Sequence, residues 1–372
     1  MAFHLIPDFF RTAAAFVVVL GVLVFVHELG HYLVARWRGV HIEAFSIGFG
    51  RPIATWTDRR GTQWKLAWLP LGGYVKLHGQ ERPEEVSDEV RQGWMAGRTF
   101  HEKPVGSRAL VVAAGPAANF LLAIVLFALL FATAGRPVPM PVVGEVIADT
   151  AASRAGLQSG DRVLAIDGTP IATFGDIQRI VTAHPAAALS LLVQRGAEKL
   201  TLPVTTDARD EGGGHLVGQL GIRGGATAFE TLPPWSAIGA GVTQTWDVTV
   251  ETVRGVWQMI SGRRGTEDLG GPLRIAQLSG QVAQLGLASL ISFIAVLSVN
   301  LGLINLFPIP ILDGGHLLFY LAEAVRGRPI PKRAQEYGFR AGFALLVGLF
   351  IFATWNDLTH FGLFRWMAGM IG

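Results

Sequence analysis

Four stretches of this chain are long, apolar and almost free of charge, and they limit its fold more than any other feature. A helix that crosses a membrane needs about 20 mostly apolar residues, because the hydrocarbon core is about 30 Å thick. Backbone groups in that core must find their hydrogen bonds within the segment itself. Thr12–Trp37 meets this demand and is uncharged until His27 and Glu28. The run between Arg108 and Arg136 holds no charge at all. A third falls within the uncharged residues Ile275–Leu312, whose Gln-rich start places the beginning of the span near Leu285. The fourth, Ala341–Phe361, is interrupted only by Asp357 and His360 near its end. About four transmembrane helices are expected.

Composition agrees. Only 16% of the 372 residues are charged, half are hydrophobic, and the mean hydropathy is +0.40. A soluble domain carries about a quarter charged residues, so these values exclude a plain cytosolic enzyme and a disordered chain alike. The absence of cysteine rules out disulfides, thiolate zinc sites, iron–sulfur clusters and cysteine nucleophiles. Any metal must then rest on histidines and carboxylates. A net charge of +3 gives no sign of a nucleic-acid partner. Met1–Phe10 is too mixed for a cleaved signal, so the first apolar segment is expected to be retained.

Lys and Arg in short loops set orientation. The loop after the first span carries Arg36, Arg38, Arg51, Arg59, Arg60, Lys65 and Lys76, and the loop after the third carries Arg326, Arg328, Lys332, Arg333 and Arg340. Both are expected to be cytoplasmic, which puts both termini and Pro137–Gln284 on the far side. That far segment has the punctuation of a small β-rich domain. Val142–Ile147, Arg162–Ile166, Leu189–Arg195 and Glu198–Val204 read as strands, Asp167-Gly168 as a hairpin turn, Phe174–Thr182 as a helix, and Asp207–Gly214 as a polar loop. Beyond it, Trp235–Ile260 spaces Ile238, Val242, Trp246, Val250, Val253 and Trp257 at helical intervals. This helix lies either on the membrane surface or against the neighbouring domain.

His27-Glu28-Leu29-Gly30-His31 is the sharpest chemical signal. Residues i and i+4 share a helix face, so both imidazoles can bind one metal ion, and Glu28 can reach a water beside it. Zinc lowers the pKa of such a water toward neutrality, and a neighbouring glutamate takes and returns its proton. An ionisable side chain inside a span costs about 2.5–3.5 kcal/mol on insertion scales and so usually marks function. The alternative is three polar residues at a fraying helix end. Catalytic zinc usually has three protein ligands. Asp313, after the helix-breaking Pro308 and Pro310, is a natural third, with His316 as its rival. The remaining histidines, His4, His41, His78, His101, His184, His215 and His360, have no partner at metal spacing.

With these motifs the chain resembles the bacterial site-2 proteases of the regulator-of-sigma-E type, zinc metalloproteases that cut within the membrane. The family's His-Glu-x-x-His matches His27, Glu28 and His31, and its Asn-x-x-Pro-x-Pro-x-Leu-Asp-Gly matches Asn305, Pro308, Pro310, Leu312, Asp313 and Gly314. Further matches are Gly115-Pro116-x-x-Asn119 and Pro70-Leu71-Gly72-Gly73-Tyr74-Val75-Lys76. The far-side domain resembles a PDZ domain, most clearly from Ala155-Gly156-Leu157 through Gly160-Asp161 to Asp167-Gly168. One departure is evident: Pro137–Gln284 has room for a single PDZ domain, where the best-studied members carry two.

The resemblance implies a polytopic α-helical membrane protein with a cytoplasmic, membrane-dipping β-hairpin region and an inserted extracytoplasmic α+β PDZ domain. Its expected parts are residues 1–136 (two spans and the hairpin), 137–225 (the PDZ domain), 226–284 (a membrane-proximal amphipathic region) and 285–372 (two spans). It implies zinc (Zn2+) held by His27, His31 and Asp313, with Glu28 as the catalytic base. Asn305, Pro308, Pro310, Gly72, Gly73 and Tyr74 would support or bind substrate. An exposed edge of the hairpin within Phe45–Leu77 would pair with the substrate as an added strand; an ordinary surface hairpin is the other reading. Asn305 would bond the extended substrate or the developing oxyanion, or else merely cap its broken helix. Implied partners are the lipid bilayer, single-pass membrane proteins such as trimmed anti-sigma factors, signal-peptide remnants, and a peptide or C-terminus at the PDZ domain. The implied place is the bacterial inner membrane, with the active site near the cytoplasmic side. A membrane-anchored adaptor and a metal transporter are the competing classes; neither needs Glu28.

Overall fold

A computed structural model describes residues 5–81, 86–210, 216–263, 265 and 270–360. The chain forms two units, 131–233 and the remainder, the latter built from both ends of the sequence.

The helical unit begins with α1 (Leu5–Trp37), followed by the long strands β1 (Ile42–Thr57) and β2 (Gln63–Leu77), the short α2 (Asp88–Gln92) and α3 (Val105–Thr133). It resumes with α6 (Pro234–Ile260), α7 (Pro272–Gln284), α8 (Leu287–Asn305), α9 (Asp313–Arg326) and α10 (Lys332–His360). Among the described residues, four helices are long and apolar enough to cross a membrane: 8–37, 105–133, 287–305 and 332–359. The third begins within two residues of Leu285, set off from α7 by Gly286 at φ 101°. The fourth starts nine residues before Ala341, since Lys332–Arg340 continues the helix after Pro331; Phe361 lies outside the described residues.

Helices in this unit meet through small residues. A Cβ on Gly30 of α1 would stand 2.2 Å from the Ala114 carbonyl of α3, and one on Gly302 of α8 would meet Phe120 and the Pro116 carbonyl at 3.1 Å. Close backbone approach of this kind replaces the hydrophobic drive that lipid removes. Helix α7 lies along α1, where Gly280 admits Thr12. Its first N–H groups, on Gly271, Leu273 and Arg274, donate to the buried carboxylate of Asp357 on α10 at 2.9–3.1 Å. The charge that interrupts the fourth span is therefore a helix cap.

Strands β1 and β2 each fold back midway. Residues 42–47 of β1 pair with both 73–77 and 63–66 of β2, and 52–57 pair with 63–67. The lateral order is 52–57, 63–67, 42–47, 73–77, with 73–77 on an edge. The turn is built on Asp58, whose carboxylate accepts the N–H groups of Arg60 and Thr62.

The β-rich unit contains β3 (Arg136–Pro139), β4 (Val143–Val146), α4 (Ala151–Arg154), β5 (Arg162–Ile166), β6 (Thr169–Pro170), α5 (Phe174–Thr182), β7 (Ala188–Arg195), β8 (Glu198–Thr205), β9 (Asp207–Asp210), β10 (Leu216–Gln219), β11 (Ile222–Gly224) and β12 (Thr227–Glu230). Its main sheet has the order β6-β5-β7-β8. Alternation along β7 sends Leu189, Leu191 and Val193 inward onto Ile166, Ile177 and Val204. Asp167 and Gly168, at φ 46° and 76°, make the tight turn after β5. A capping box between Thr173 and Asp176 starts α5.

Three expectations need correction. Asp207–Gly214 is not all loop, because Asp207–Asp210 pairs with β10 as a strand; 211–215 lie outside the described residues. The β-rich unit is wider than 137–225, because β12 pairs with β3 and closes the unit at both ends. The amphipathic region 226–284 consequently begins at Pro234. Helix α6 packs by its small residues and not by its apolar ridge: Ala237, Gly241 and Thr245 are buried, with Gly241 against the Ile124 carbonyl of α3. Trp235, Trp246 and Trp257 are exposed.

Candidate metal centre and its cavity

His27 and His31 project from one face of α1 toward Asp313, the first residue of α9. The Nε2 atoms of the two imidazoles are 3.2 Å apart, and Asp313 Oδ2 lies 3.2 Å from His27 Nε2 and 3.5 Å from His31 Nε2. Donors around a tetrahedral zinc at about 2.0–2.1 Å stand roughly 3.3 Å from one another, so these three atoms fit a single ion. Asp313 Oδ2 is buried and accepts no hydrogen bond. A bound cation would satisfy that orphan. Among the described residues this is the only set of three or more such groups that converge on one point.

Each ligand is aimed by the helices around it. His31 Nδ1 sits 2.8 Å from the Val111 carbonyl of α3, and Asn119 Nδ2, about two turns further along that helix, lies 3.2 Å from His27 Nδ1. Contacts at the second nitrogen fix the ring and its tautomer. Asn119 is fully buried, its own carbonyl accepting from Ser298 of α8. Gly115 leaves the space: a Cβ there would fall 2.3 Å from His31 Nε2 and 2.9 Å from His27 Cε1. Asp313 is delivered by the break between α8 and α9. Residues 306–312 fold into tight turns, with Leu312 N–H on the Ile309 carbonyl at 2.8 Å. Gly314 and Gly315 lie so close beneath that Cβ atoms would approach the Leu306 and Ile309 carbonyls to 2.2 and 2.3 Å.

A cavity of about 630 Å³ opens beside this centre. Glu28 lines it together with Gly73, Tyr74 and Val75, so the edge segment 73–77 forms one wall. The Val75 N–H donates to the Glu28 carboxylate, and a Cβ on Gly73 would press on Glu28 Cγ at 3.1 Å. At the mouth, Arg108 of α3 pairs with Glu323 of α9 at 2.7 Å, and its guanidinium covers the Tyr320 ring.

The residues singled out from sequence divide here. His27, Glu28, His31, Asp313, Asn305, Gly73 and Tyr74 line the cavity; Pro308, Pro310 and Gly72 do not. Pro310 packs on Gly338 and Gly342 of α10. Gly72, at φ 154°, makes room for Phe49. Asn305 Nδ2 donates to the Leu301 carbonyl at 3.0 Å, the contact of a helix cap. His316 lines the cavity against Phe339 but stands outside the converging set. His78, His101 and His184 are tied to Glu43, Gly79 and Ile180. Gly115 and Asn119 received no role from sequence. Their signal was there: Asn119 is a lone amide in a span that otherwise has no strongly polar side chain.

Two imidazoles and a carboxylate around one point, with a glutamate beside the first imidazole, form the donor set of a zinc metalloprotease. Comparison with known proteins agrees. Residues 15–349 match peptidase family M50. A protein of Rhizobium meliloti (strain 1021), whose name assigns it provisionally to the zinc metalloproteases, is 47% identical over 359 residues, covering 93% of this chain and 96% of its own. Metalloprotease MmpA of Caulobacter vibrioides is 39% identical over 383 residues, covering 95% and 96%. The regulator of sigma E protease of Salmonella typhi is 33% identical over 452 residues, covering 93% and 98%. A solved PDZ domain of an SdrC-like protein from Listeria monocytogenes, 19% identical, covers 23% of this chain and 85% of that one with a TM-score of 0.20. The chain belongs to peptidase family M50, the site-2 proteases; it is a metalloprotease, and its cofactor is zinc.

Proposed function

We propose that this chain hydrolyses peptide bonds within the membrane-spanning segments of single-pass proteins. The observation that carries the reading is the depth of the centre. His27 lies ten residues before the end of α1 at Trp37, about 15 Å at the helical rise and roughly half the thickness of the hydrocarbon core. His27, His31 and Asp313 hold the zinc, which when bound supplies Lewis acidity at the scissile carbonyl. With zinc held by its Nε2, His27 would carry its proton on Nδ1, and Asn119, whose Nδ2 faces that nitrogen at 3.2 Å, would accept it only with the amide turned to present its oxygen. Glu28 takes a proton from the attacking water and passes it to the leaving amine.

A helical substrate hides its carbonyl in the backbone ladder, so it must be extended first. The edge 73–77 runs along the cavity beside Glu28, where a substrate strand added to it would bring its backbone to the base. Asn305 and Tyr74 border the same space. The β-rich unit acts as a PDZ domain on the periplasmic side, capturing a carboxylate freed by an earlier cut or excluding substrates with bulky outer domains. Anti-sigma factors already trimmed outside, and signal-peptide remnants, are the substrate classes. The enzyme lies in the bacterial inner membrane, with both termini periplasmic, the centre near the cytoplasmic side, and no nucleic-acid partner. This is regulated intramembrane proteolysis.

The test is cleavage of a tagged single-pass substrate in membranes, with zinc content measured in parallel. Glu28→Gln should keep zinc and lose at least about 10²-fold in rate, while Asp313→Ala should lose both. Cleavage by Glu28→Gln at the wild-type rate would leave an adaptor or a transporter, and metal flux in vesicles separates those two.

A further inference from the structure

A second cavity of the helical unit, about 400 Å³, opens where α1 ends and the β1–β2 turn folds back. Its wall carries Arg36, Arg60 and Arg98, with His41 and Thr62 between them, and no carboxylate. Arg36, in the last turn of α1, donates to the Tyr32 hydroxyl at 2.6 Å and lies 5.3 Å from that ring. Those contacts hold the guanidinium in place without neutralising it. The His41 N–H donates to the Arg98 carbonyl at 3.0 Å, which fixes the backbone on the opposite side. None of the three arginines makes an ion pair among the described residues.

The nearby carboxylates are held by other donors. Asp58 accepts from the N–H groups of Arg60 and Thr62, from the Trp64 indole and, at 3.4 Å, from the Tyr32 hydroxyl that links it to Arg36, but it forms no ion pair with any of the three guanidiniums; Glu43 pairs with Lys76 and His78. His41 is held below its usual pKa by burial, then by His78 and Arg98, as expected where positive charge is uncompensated. Three unpaired guanidiniums in one concavity repel one another unless an anion joins them. Their planar forks match the oxygens of a phosphate.

Position points to the source of that phosphate. Leu33 and Trp37, one helical turn apart on α1 and flanking Arg36 in sequence, are 55% and 73% exposed. A tryptophan at the end of a span sits at headgroup depth, so acyl chains have apolar surface next to the arginines. We infer that this cavity binds a phosphate group at the membrane surface, that of an anionic phospholipid headgroup or free phosphate.

Native mass spectrometry of the zinc-loaded full chain, titrated with phosphatidylglycerol, phosphatidylcholine or inorganic phosphate, tests this. The wild type should bind phosphatidylglycerol in preference to phosphatidylcholine. The double variant R60E/R98E should lose roughly 100-fold in that affinity, about tenfold for each charged contact. Arg51→Glu, one such charge reversal on exposed β1 outside the cavity, should change it less than about fivefold, against about tenfold for each reversal inside it. Unaltered zinc content reports that each variant is folded. Inorganic phosphate that binds as tightly as the lipid assigns the site to the free ion, and phosphate that fails to compete assigns it to the lipid. Equal phosphatidylglycerol and phosphate binding by wild type and R60E/R98E, or an equal loss in Arg51→Glu, overturns the inference.

Discussion

The β-rich unit and the helical unit differ in how large side chains and close backbone contacts share the work of holding them together. In the first, large side chains fill a core: Leu191, Val193, Ile166 and Ile177 are essentially inaccessible, and the backbone goes where their burial puts it. In the second, many large side chains face outward, the buried clusters around Phe45 and around Val19 are smaller, and helices come within backbone contact at Gly30, Gly115, Gly280 and Gly302. The difference follows from the surroundings. Apolar burial drives a domain together in water, but between helices already in lipid it gains almost nothing, so close backbone packing and polar contacts decide the arrangement. A membrane site can therefore be lost by adding a methyl group, whereas a water-borne core is damaged by removing one.

That contrast is open to direct attack. Gly115→Ala would push a Cβ to 2.3 Å from His31 Nε2. The ring cannot retreat without leaving both the Val111 carbonyl and the ligand set, so zinc content and cleavage should collapse together. Melting of the β-rich unit should be unchanged. Leu191→Ala is the converse: a buried leucine emptied to alanine costs about 2–5 kcal/mol. Calorimetry should show the β-rich unit melting earlier while zinc content stays at the wild-type level. If Gly115→Ala kept its zinc, or Leu191→Ala shed it, the two units would not be governed by different rules.

The same contrast explains what could be read from the sequence. His27, Glu28 and His31 were legible because three ionisable residues within a span have few structural reasons to be there. Asp313 followed from the two prolines before it. In the β-rich unit, short apolar runs bounded by turn residues placed β5 and β7 to within a residue. The pairing of Thr227–Glu230 with Arg136–Pro139 was not legible, since 4-residue strands far apart in sequence carry no local signal of their partner. For α6 the periodicity revealed an apolar face and left open whether it packs; the structure leaves that face exposed, and the small residues Ala237 and Gly241 make the contact.

Asn119 tests whether polar contacts inside the helical unit serve the metal. It touches His27 and not the converging point itself. Partners of this kind typically contribute 10–100-fold in metal affinity. Asn119→Ala should weaken zinc binding by that factor, measured by chelator competition, and cleavage should recover when zinc is supplied in excess. A merely structural asparagine would give lost activity that no amount of zinc restores.

The smallest effect belongs to the β-rich unit and depends on pH. Asp161 is buried, and both its oxygens accept from the Arg195 guanidinium at 2.7 Å, with Gln158 N–H adding a third bond at 2.9 Å. Arg195 above all, then the Gln158 N–H, outweighs burial and holds the Asp161 carboxyl below its ordinary pKa of 3.8. A depressed folded-state pKa means that the ionised form is favoured by folding. The contribution is complete above the unfolded value and fades as pH falls through the folded one. Arg195 is partly exposed, so solvent screening limits its pairing, and Arg195→Gln should lower the melting temperature of the unit modestly at neutral pH. Thermal melts of the two proteins should differ by a constant amount from pH 7 down to about pH 5 and draw together below the ordinary value of 3.8. A gap that persisted unchanged into acid would mean that Arg195 acts by packing its stem over the sheet and not by its charge.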